Sequence, residues 1–204
     1  MLGDKRGCGV CLMCRRRCAA LALILVLAVS LTACGQWGEK REFQPGERVS
    51  TYWFDFSVNE VRTESSWQGR RAEDGCRLVI CELEIQSTFS EAVPMGRADF
   101  VLLWESGEDT DAPSGSGAAW QGMEGVYPLP RYAEGQLPDE YELGRDETVT
   151  GQLVFQVPSS VSRAALMFEE YYADGESEST YTVGDHYLVW LDLGEELQEG
   201  PDPS

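Results

Sequence analysis

Seven cysteines offer the widest choice of chemistry in this 204-residue chain, and four of them lie near its start. Cys8, Cys11, Cys14 and Cys18 follow the spacing C-x2-C-x2-C-x3-C, which is that of a bacterial iron–sulfur motif. The residue after the fourth cysteine is Ala19 rather than the proline of that motif. The four cysteines also adjoin an apolar run of the kind that is removed after export. We therefore interpret them as part of a signal peptide and not as cluster ligands.

Residues 1–33 have the zones of a secretory signal peptide, in which basic residues precede the apolar run 19–31. The run is shorter than the roughly 20 apolar residues of a membrane-spanning helix. It ends in Leu31-Thr32-Ala33-Cys34, which resembles the lipobox of bacterial lipoproteins. The resemblance implies cleavage before Cys34 and a diacylglycerol on its thiol, whose acyl chains anchor the protein to the outer face of the cell membrane. An ordinary signal peptide that is cut nearby is the alternative.

Two methionines are candidate starts, because Met13 gives a more compact signal peptide than Met1. Removal of residues 1–33 leaves 171 residues, a length that suits one domain. These residues carry 34 acidic and 11 basic side chains, a net charge near −23. Because nucleic-acid binding needs clustered Lys and Arg, we expect no nucleic-acid partner.

Residues suited to catalysis are few. His186 is the only histidine, so a zinc site or a His-activated nucleophile lacks its usual partners. We interpret His186 as a turn residue before the last strand. Neighbouring acids such as Glu169 and Glu170 resemble the paired carboxylates of glycosidases, but such pairs arise by chance in so acidic a chain. We therefore predict no catalytic residues, no enzymatic activity and no cofactor.

An acidic, glycine-rich stretch contains weak candidates for a calcium site. Glu108, Asp109 and Asp111 offer the oxygen ligands that Ca²⁺ prefers, but the EF-hand spacing is not met. We favour a solvated loop over 105–118 and leave calcium binding open.

Tryptophans outside the regular pattern are stronger candidates for ligand contact. Trp67 and Trp120 lie in polar or glycine-rich stretches, where they have no evident core role. Exposed aromatic rings beside acids form platforms for sugars, peptides or proteins. The alternative is that such rings fold back and cap the domain, which we favour for Trp104.

Alternation of apolar and polar residues dominates 47–194 and predicts an all-β domain. The predicted strands are 52–59, 76–87, 99–104, 148–157, 164–172, 181–183 and 187–193, of which 99–104 is apolar on both faces and 181–183 continues the pattern only weakly. Turn signals separate them, which favours an immunoglobulin-like antiparallel β-sandwich of about seven strands. The stretch 161–170 contains helix-forming residues, but an aromatic pair and the hairpin signal Asp174-Gly175 follow it, so we predict a strand there.

Two cysteines lie within one predicted strand. Cys81 lies five positions after Cys76, so their side chains point to opposite faces, too far apart for a disulfide. We predict that Cys81 lies in the core and that Cys76 is a free thiol at the start of the strand.

The remaining segments are predicted to lack regular structure. Residues 34–46 are interpreted as the lipidated cysteine and a flexible tether, 63–75 as a loop, 91–97 as a turn and 195–204 as an acidic disordered tail.

Two segments resemble a known family. The stretch 45–49 leads into a strand that ends Val-Asn-x-Val, and 143–158 reads Leu-Gly, acids, then Gly-x-Leu-Val-Phe-x-Val-Pro. These patterns, with the strand 78–87 between them, are similar to the telokin-like, immunoglobulin-like domain of unknown function in lipoproteins of Gram-positive bacteria. Gln86-Ser87-Thr88 departs from the usual Asn of that family, and the acidic loop after Trp104 is unusually long. The resemblance implies a fold but supplies no catalytic residues.

The sequence thus predicts a lipid-anchored, extracytoplasmic binding or accessory module without enzymatic activity. Its expected partners are the membrane, through Cys34, and an extracellular protein, peptide or glycan. The alternative is a calcium-dependent sugar binder or an extracytoplasmic hydrolase, and a third class is a structural envelope protein. Fold alone does not choose between them.

Overall fold

The computed structural model describes residues 38–105, 122–173 and 181–194, and this part of the chain contains strands and one short 3₁₀ turn but no α-helix. The strands are β1 (Lys40–Phe43), β2 (Val49–Ser50), β3 (Phe54–Glu64), β4 (Ser66–Trp67), β5 (Arg70–Arg71), β6 (Cys76–Ser87), β7 (Val93–Gly96), β8 (Phe100–Glu105), β9 (Met123–Val126), β10 (Glu140–Leu143), β11 (Thr148–Pro158), β12 (Arg163–Ala173) and β13 (Tyr181–Asp192). Several predicted features lie outside the described residues: the signal peptide, Cys34, Glu108, Asp109, Asp111, Trp120, the hairpin signal 174–175 and the acidic tail.

Two sheets face each other across one core. One has the strand order β1-β13-β12-β8-β9 and the other the order β11-β6-β3-β2. Alternate residues of both sheets point inward and are buried in a single apolar cluster, for example Phe56, Leu83 and Phe155 from one sheet and Leu166 and Val189 from the other. Two sheets that share their inner faces in this way form a β-sandwich. The predicted all-β fold class is confirmed.

The order of the long strands is immunoglobulin-like. Along the chain, β3, β6 and β11 pair in one sheet, whereas β8, β12 and β13 pair in the other. Immunoglobulin domains divide their strands in the same way, with A, B and E in one sheet and C, F and G in the other. The short β1 adds a parallel edge beside β13, the last strand.

Strongly alternating runs form the predicted strands. The observed β6 has the predicted bounds 76–87, and 161–170 falls largely in β12, as the aromatic pair and turn signal predicted. Both described cysteines are free, as predicted. Cys81 lies in the core, where burial raises the pKa of its thiol to about 12. Cys76 is half-buried against a smaller cluster on the outer face of the same sheet.

Part of the predicted tether is a strand. Lys40–Phe43, which we placed in a flexible segment, pairs in parallel with β13, and Phe43 stacks on Tyr187 with ring centroids 6.4 Å apart. The other three residues of β1 are charged and exposed, as is common at sheet edges. A strand that buries only one side chain has no alternation to reveal it, which is why the sequence suggested a tether.

The predicted turn 91–97 and loop 63–75 also contain strands. β7 pairs with β10 in a two-stranded ribbon, which buries Val93 and Met95 and accommodates Pro94, since an edge strand need not donate every N–H. β4 and β5 form a hairpin closed by Gln68 and Gly69, whose φ angles of 48° and 82° are those of a type I′ turn. Both two-stranded ribbons form because their strands pair with each other, and less because their residues have a high strand propensity.

Candidate functional site

The only histidine lies inside the last strand. We predicted that His186 precedes this strand, but β13 begins at Tyr181, so His186 is buried within it. Its Nδ1 lies 3.0 Å from a carboxylate oxygen of Glu169 on the neighbouring strand. The alternation of 181–186 is too weak to reveal the first half of the strand.

The acids Glu169 and Glu170 are separated rather than paired. The register between β12 and β13 shifts between Glu169 and Tyr171, because Gly184 and Asp185 of β13 both lie opposite Glu170 and form a bulge in β13. Glu169 contacts His186, whereas Glu170 contacts the hydroxyl of Tyr187, which points into the core. Neighbouring residues in one strand face opposite sides, so the two carboxylates do not share a site.

Trp67 covers the outer face of the four-stranded sheet. It lies in β4, is half-buried, and packs on a cluster of Ala72, Leu78, Ile80 and Val154. Its ring meets Tyr132 edge-on with centroids 5.8 Å apart. These contacts match the capping role that the sequence left open for Trp67. Trp104 is buried in the core, as we favoured.

A tryptophan on the last strand forms the centre of a different surface. Val189 and Leu191 point into the core, so Trp190 between them projects from the outer face. Arg163 begins the neighbouring strand opposite Asp192, one diagonal step from Trp190. Its guanidinium carbon lies 4.2 Å from the centroid of the indole ring, within cation–π range. The register of β12 and β13 therefore creates this stacked pair.

Two clefts flank the stacked pair, and we call them together the Arg163–Trp190 groove. One has a volume of about 470 Å³ and the other about 460 Å³. Both are lined by Ser162, Arg163 and Trp190, the first also by Glu105 and Glu124 and the second also by Gln44 and Asp192. Each volume is within the range of small-molecule and peptide pockets.

A buried arginine supports the floor of the groove. Arg77 on β6 donates from Nη2 to the carbonyl oxygen of Val161 and, at 3.3 Å, to that of Gly194. Val161 belongs to the loop between β11 and β12, and Gly194 follows β13. Arg77 thereby fastens both segments from below, which leaves Arg163 and the serine hydroxyls above them exposed.

Charged side chains hold Trp190 at its outer edge. Lys40 places its Nζ 5.8 Å from the indole centroid and 3.0 Å from the carboxylate of Glu42. The pKa of Glu42 is lowered, chiefly by the hydrogen bond from Lys40, with smaller contributions from Trp190 and Arg163. Glu42 thus stays ionised beside the groove.

Aromatic side chains cluster at the other end of β12 and β13, and we call Tyr52, Trp53, Phe89 and Tyr172 the aromatic end. The ring of Tyr52 lies 4.8 Å from Trp53 and 5.7 Å from both Phe89 and Tyr172, measured between centroids. We placed Tyr52 on the inner face of a strand, but the strand begins at Phe54 and the Tyr52 side chain is 58% exposed. The Ser50–Phe54 turn carries it outward.

A buried carboxylate organises the aromatic end. Glu170 is only 2% exposed, and its Oε1 accepts hydrogen bonds from the Tyr52 N–H at 2.6 Å and the Tyr187 hydroxyl at 3.0 Å. Its Oε2 accepts from the Tyr172 hydroxyl. Burial, followed by the Glu170 charge and hydrogen bond, raises the pKa of Tyr172 and of Tyr187. These tyrosines therefore remain neutral donors to Glu170 at physiological pH.

Arg163, Glu170 and the exposed set at the aromatic end were not predicted from the sequence. The outward position of Trp190 was visible, since it falls on the opposite face of its strand from Tyr187, Val189 and Leu191. Its arginine partner depends on strand register, which alternation does not specify. Within the described ranges, no three His, Cys, Asp or Glu side chains are placed to hold a metal ion. None of the described segments is a helix long and apolar enough to cross a membrane.

Comparison with known proteins gives weak structural likeness only. No family model matches, and no curated protein matches. The chain is similar to a Bacillus subtilis protein described as a "putative lipoprotein" (ycdA), with 12% identity and a TM-score of 0.46, over 71% of this chain and 38% of that protein. It is also similar to an uncharacterised Clostridium difficile β-sandwich protein, with 12% identity and a TM-score of 0.42, over 78% of this chain and 98% of that one. The chain thus spans well under half of the Bacillus protein, and neither likeness identifies a function.

Proposed function

We propose that the protein is a lipid-anchored, extracytoplasmic binding module that holds an extended acidic peptide or protein segment in the Arg163–Trp190 groove. The observation that carries the proposal is the stacked pair between two clefts of about 470 and 460 Å³. A ligand that occupies both clefts must cross the pair, so the groove favours an elongated ligand over a compact one.

The charge of the groove favours an acidic ligand group. The chain as a whole has a net charge of −19, yet Arg163 presents an exposed guanidinium on an aromatic ring. A planar guanidinium binds carboxylates through two parallel hydrogen bonds, and the ring beneath removes one face from water. Glu105 and Glu124 on the rim repel additional negative charge, so one acidic group at Arg163 fits better than several.

A glycan fits this geometry less well than a peptide. Sugars stack on a free tryptophan face, whereas Arg163 already lies over Trp190 at 4.2 Å. A peptide can retain that stack, place a carboxylate on Arg163 and use the hydroxyls of Ser160 and Ser162 for main-chain hydrogen bonds.

Binding without catalysis is the better-supported activity. The groove is lined by two exposed serines but by no histidine, and the single histidine of the chain is buried beside Glu169. A serine nucleophile needs an adjacent base. We therefore propose a binding module and not a hydrolase.

The membrane anchor is the second part of the proposal, and Cys34 within Leu31-Thr32-Ala33-Cys34 supports it. β1 begins at Lys40, so the segment between the lipidated residue and the folded domain is much shorter than the tether that we predicted. The domain then stands close to the lipid headgroups, with the groove at the end remote from Gly38.

Selection of peptides from a random displayed library against the mature domain tests the binding proposal. We expect enriched peptides to share an acidic residue and to lose affinity for an Arg163→Gln variant. Arg145→Gln is the matched control, since Arg145 is also exposed but lies in the turn between β10 and β11. The proposal would be wrong if the enriched peptides bound Arg163→Gln as tightly as the unmodified domain, or if no peptide were enriched.

A further inference from the structure

We infer that the aromatic end is a membrane-docking surface, on which Tyr52, Trp53 and Phe89 contact the headgroup region of the bilayer. This inference rests on the proposed lipid anchor at Cys34. It goes further, because it assigns one end of the sandwich to the membrane and fixes the orientation of the domain.

The folded domain begins at Gly38, beside the start of β13. Gly38 packs so closely on Gly184 that any side chain on Gly38 would overlap the Gly184 carbonyl oxygen. The next residue is held on both sides, since the Glu39 N–H donates to Asp185 at 2.9 Å and the His186 N–H donates to the Glu39 carbonyl at 2.9 Å. The chain is therefore fixed to the start of β13 from Gly38 onward.

Only a short length of chain separates the anchor from this point. Four peptide units join Cys34 to Gly38, and four fully extended residues span at most about 14 Å. A lipid on Cys34 thus brings Gly38 within about that distance of the bilayer surface. A tether this short leaves little room for the opposite end of the domain to face the membrane.

The aromatic end lies directly beside Gly38. The ring of Tyr172 packs over Gly184 so tightly that a side chain on Gly184 would overlap it. The ring of Tyr52 lies 5.7 Å from that of Tyr172. Gly38, Gly184, Tyr172 and Tyr52 are consecutive neighbours, so whatever surface the anchor approaches also meets the aromatic rings.

The exposed side chains at this end have the chemistry of a membrane interface. In the described part of the chain, the large apolar residues that remain exposed are Tyr52 at 58%, Tyr127 at 58% and Tyr171 at 53%. Tyr52 belongs to the aromatic end, whereas Tyr171 precedes Tyr172 in β12 and faces the opposite side of the strand. Tyrosine and tryptophan are enriched at membrane interfaces, where one end of the ring is apolar and the other is hydrated.

Charge at this end favours neutral lipid. Glu39 and Glu91 are exposed nearby, and Asp185 is paired with Arg41 at 2.7 Å, so the surface has no excess of cations. Glu170 lies beneath the rings, where three donors satisfy it. The attraction is therefore expected from the rings and not from charge, and phosphatidylcholine is the suitable probe lipid.

Depth-dependent fluorescence quenching tests this inference on the lipidated mature protein in phosphatidylcholine vesicles. Nitroxide is carried on lipid, either at the headgroup or deep in the acyl chain. The emission lost in Trp53→Phe defines the contribution of Trp53, and that lost in Trp190→Phe defines the contribution of Trp190. Trp190 is the matched control, because six strand residues place it about 20 Å along β13 from Gly184.

We expect headgroup nitroxide to quench the Trp53 contribution more than deep nitroxide does, and to leave the Trp190 contribution unchanged. A Tyr52→Ser variant, which alters an exposed residue, should reduce the quenching without loss of the fold. Unquenched Trp53, or equal quenching of Trp53 and Trp190, would overturn the inference. If intact mass shows no lipid on Cys34, the anchor itself has failed, which distinguishes that outcome from a lipidated protein whose aromatic end stays in water.

Discussion

At the end of the sandwich beside Gly38, a carboxylate is buried among hydroxyl and N–H donors, whereas at the other end a guanidinium is buried beneath backbone carbonyls. Glu170 fixes the turn that carries Tyr52, and Arg77 fixes the loop that precedes Arg163. Both ends use a buried charge to hold loops in place, but they expose opposite chemistry. One presents neutral aromatic rings, and the other presents a cation between two clefts. This difference suggests different partners for the two ends.

Removal of the buried carboxylate is expected to give the largest effect. Glu170→Ala leaves the Tyr52 N–H and two tyrosine hydroxyls without their acceptor, so the free energy of unfolding should fall by about 3 kcal/mol. Glu170→Gln keeps one carbonyl acceptor and should cost less. Urea denaturation measures the free energy of unfolding of both variants. A loss below about 0.5 kcal/mol for the alanine variant, the usual limit for surface changes, would show that Glu170 does not organise this end.

Removal of the exposed guanidinium should separate binding from stability. Arg163→Gln is expected to weaken a selected acidic peptide by at least about tenfold, or about 1.4 kcal/mol. The free energy of unfolding should change by no more than about 0.5 kcal/mol, because Arg163 is exposed. Titration calorimetry measures the affinity for the peptide, and urea denaturation measures the free energy of unfolding. If Arg145→Gln weakens the peptide equally, the groove is not the binding site.

Alkaline pH should loosen the aromatic end before the groove. The pKa values of Tyr172 and Tyr187 are raised by burial and by Glu170, so the folded state holds their protons more tightly than the unfolded state. Their stabilisation is complete below pH 10, the usual tyrosine value, and is lost as pH rises beyond it. Hydrogen exchange near Tyr52 should therefore accelerate above pH 10 before exchange near Trp190 does. Equal acceleration at both ends would contradict this.

Cys81 in the core should contribute to the same loss of stability at alkaline pH. Burial raises the pKa of its thiol to about 12, which delays its ionisation in the folded state. Its stabilisation is present below the unfolded thiol pKa and is lost as pH rises toward 12. A Cys81→Ala variant separates this contribution from that of the tyrosines.

The smallest expected effect concerns the rim of the groove. Lys40→Met removes the hydrogen bond that chiefly lowers the pKa of Glu42, so this pKa should rise toward its usual value. A lowered carboxyl pKa stabilises the fold at neutral pH, and the contribution is lost as pH falls through the folded pKa. Because both side chains are exposed, the stability change should be only about 0.3 kcal/mol. An NMR titration of Glu42 measures the shift, and an unchanged pKa would show that Lys40 does not hold Glu42 in its ionised form.

Whether a strand could be predicted from the sequence depended on how many of its side chains are buried. β6 and β11 alternate strongly and β8 is apolar on both faces, and the sequence located each of these strands and β12 within about two residues. β1, β7, β4 and β5 were missed because each buries at most two side chains and depends on a partner strand. Their existence is a property of the assembled sheets and not of the local sequence.

Site residues were harder to predict than strands, because the register between paired strands determines which side chains come into contact. The sequence placed Trp190 outward, but only the pairing of Ala165 with Trp190 brings Arg163 onto the ring. It placed Tyr52 inward, because a run of alternation gives no sign of where the turn before it ends. Glu170 lies on the same inward face of β12 as Leu166 and Phe168, but alternation gives no sign that two tyrosine hydroxyls and the Tyr52 N–H would surround a carboxylate there.

Intact-mass spectrometry of the protein from a membrane fraction, beside a Cys34→Ala variant, tests the central claim most directly. We predict a mature chain that begins at Cys34 and carries a thioether-linked diacylglycerol, with both features lost in the variant. An unlipidated chain that retains residues before Cys34 would contradict this prediction. That result would remove the anchor and the assignment of the two ends to membrane and exterior.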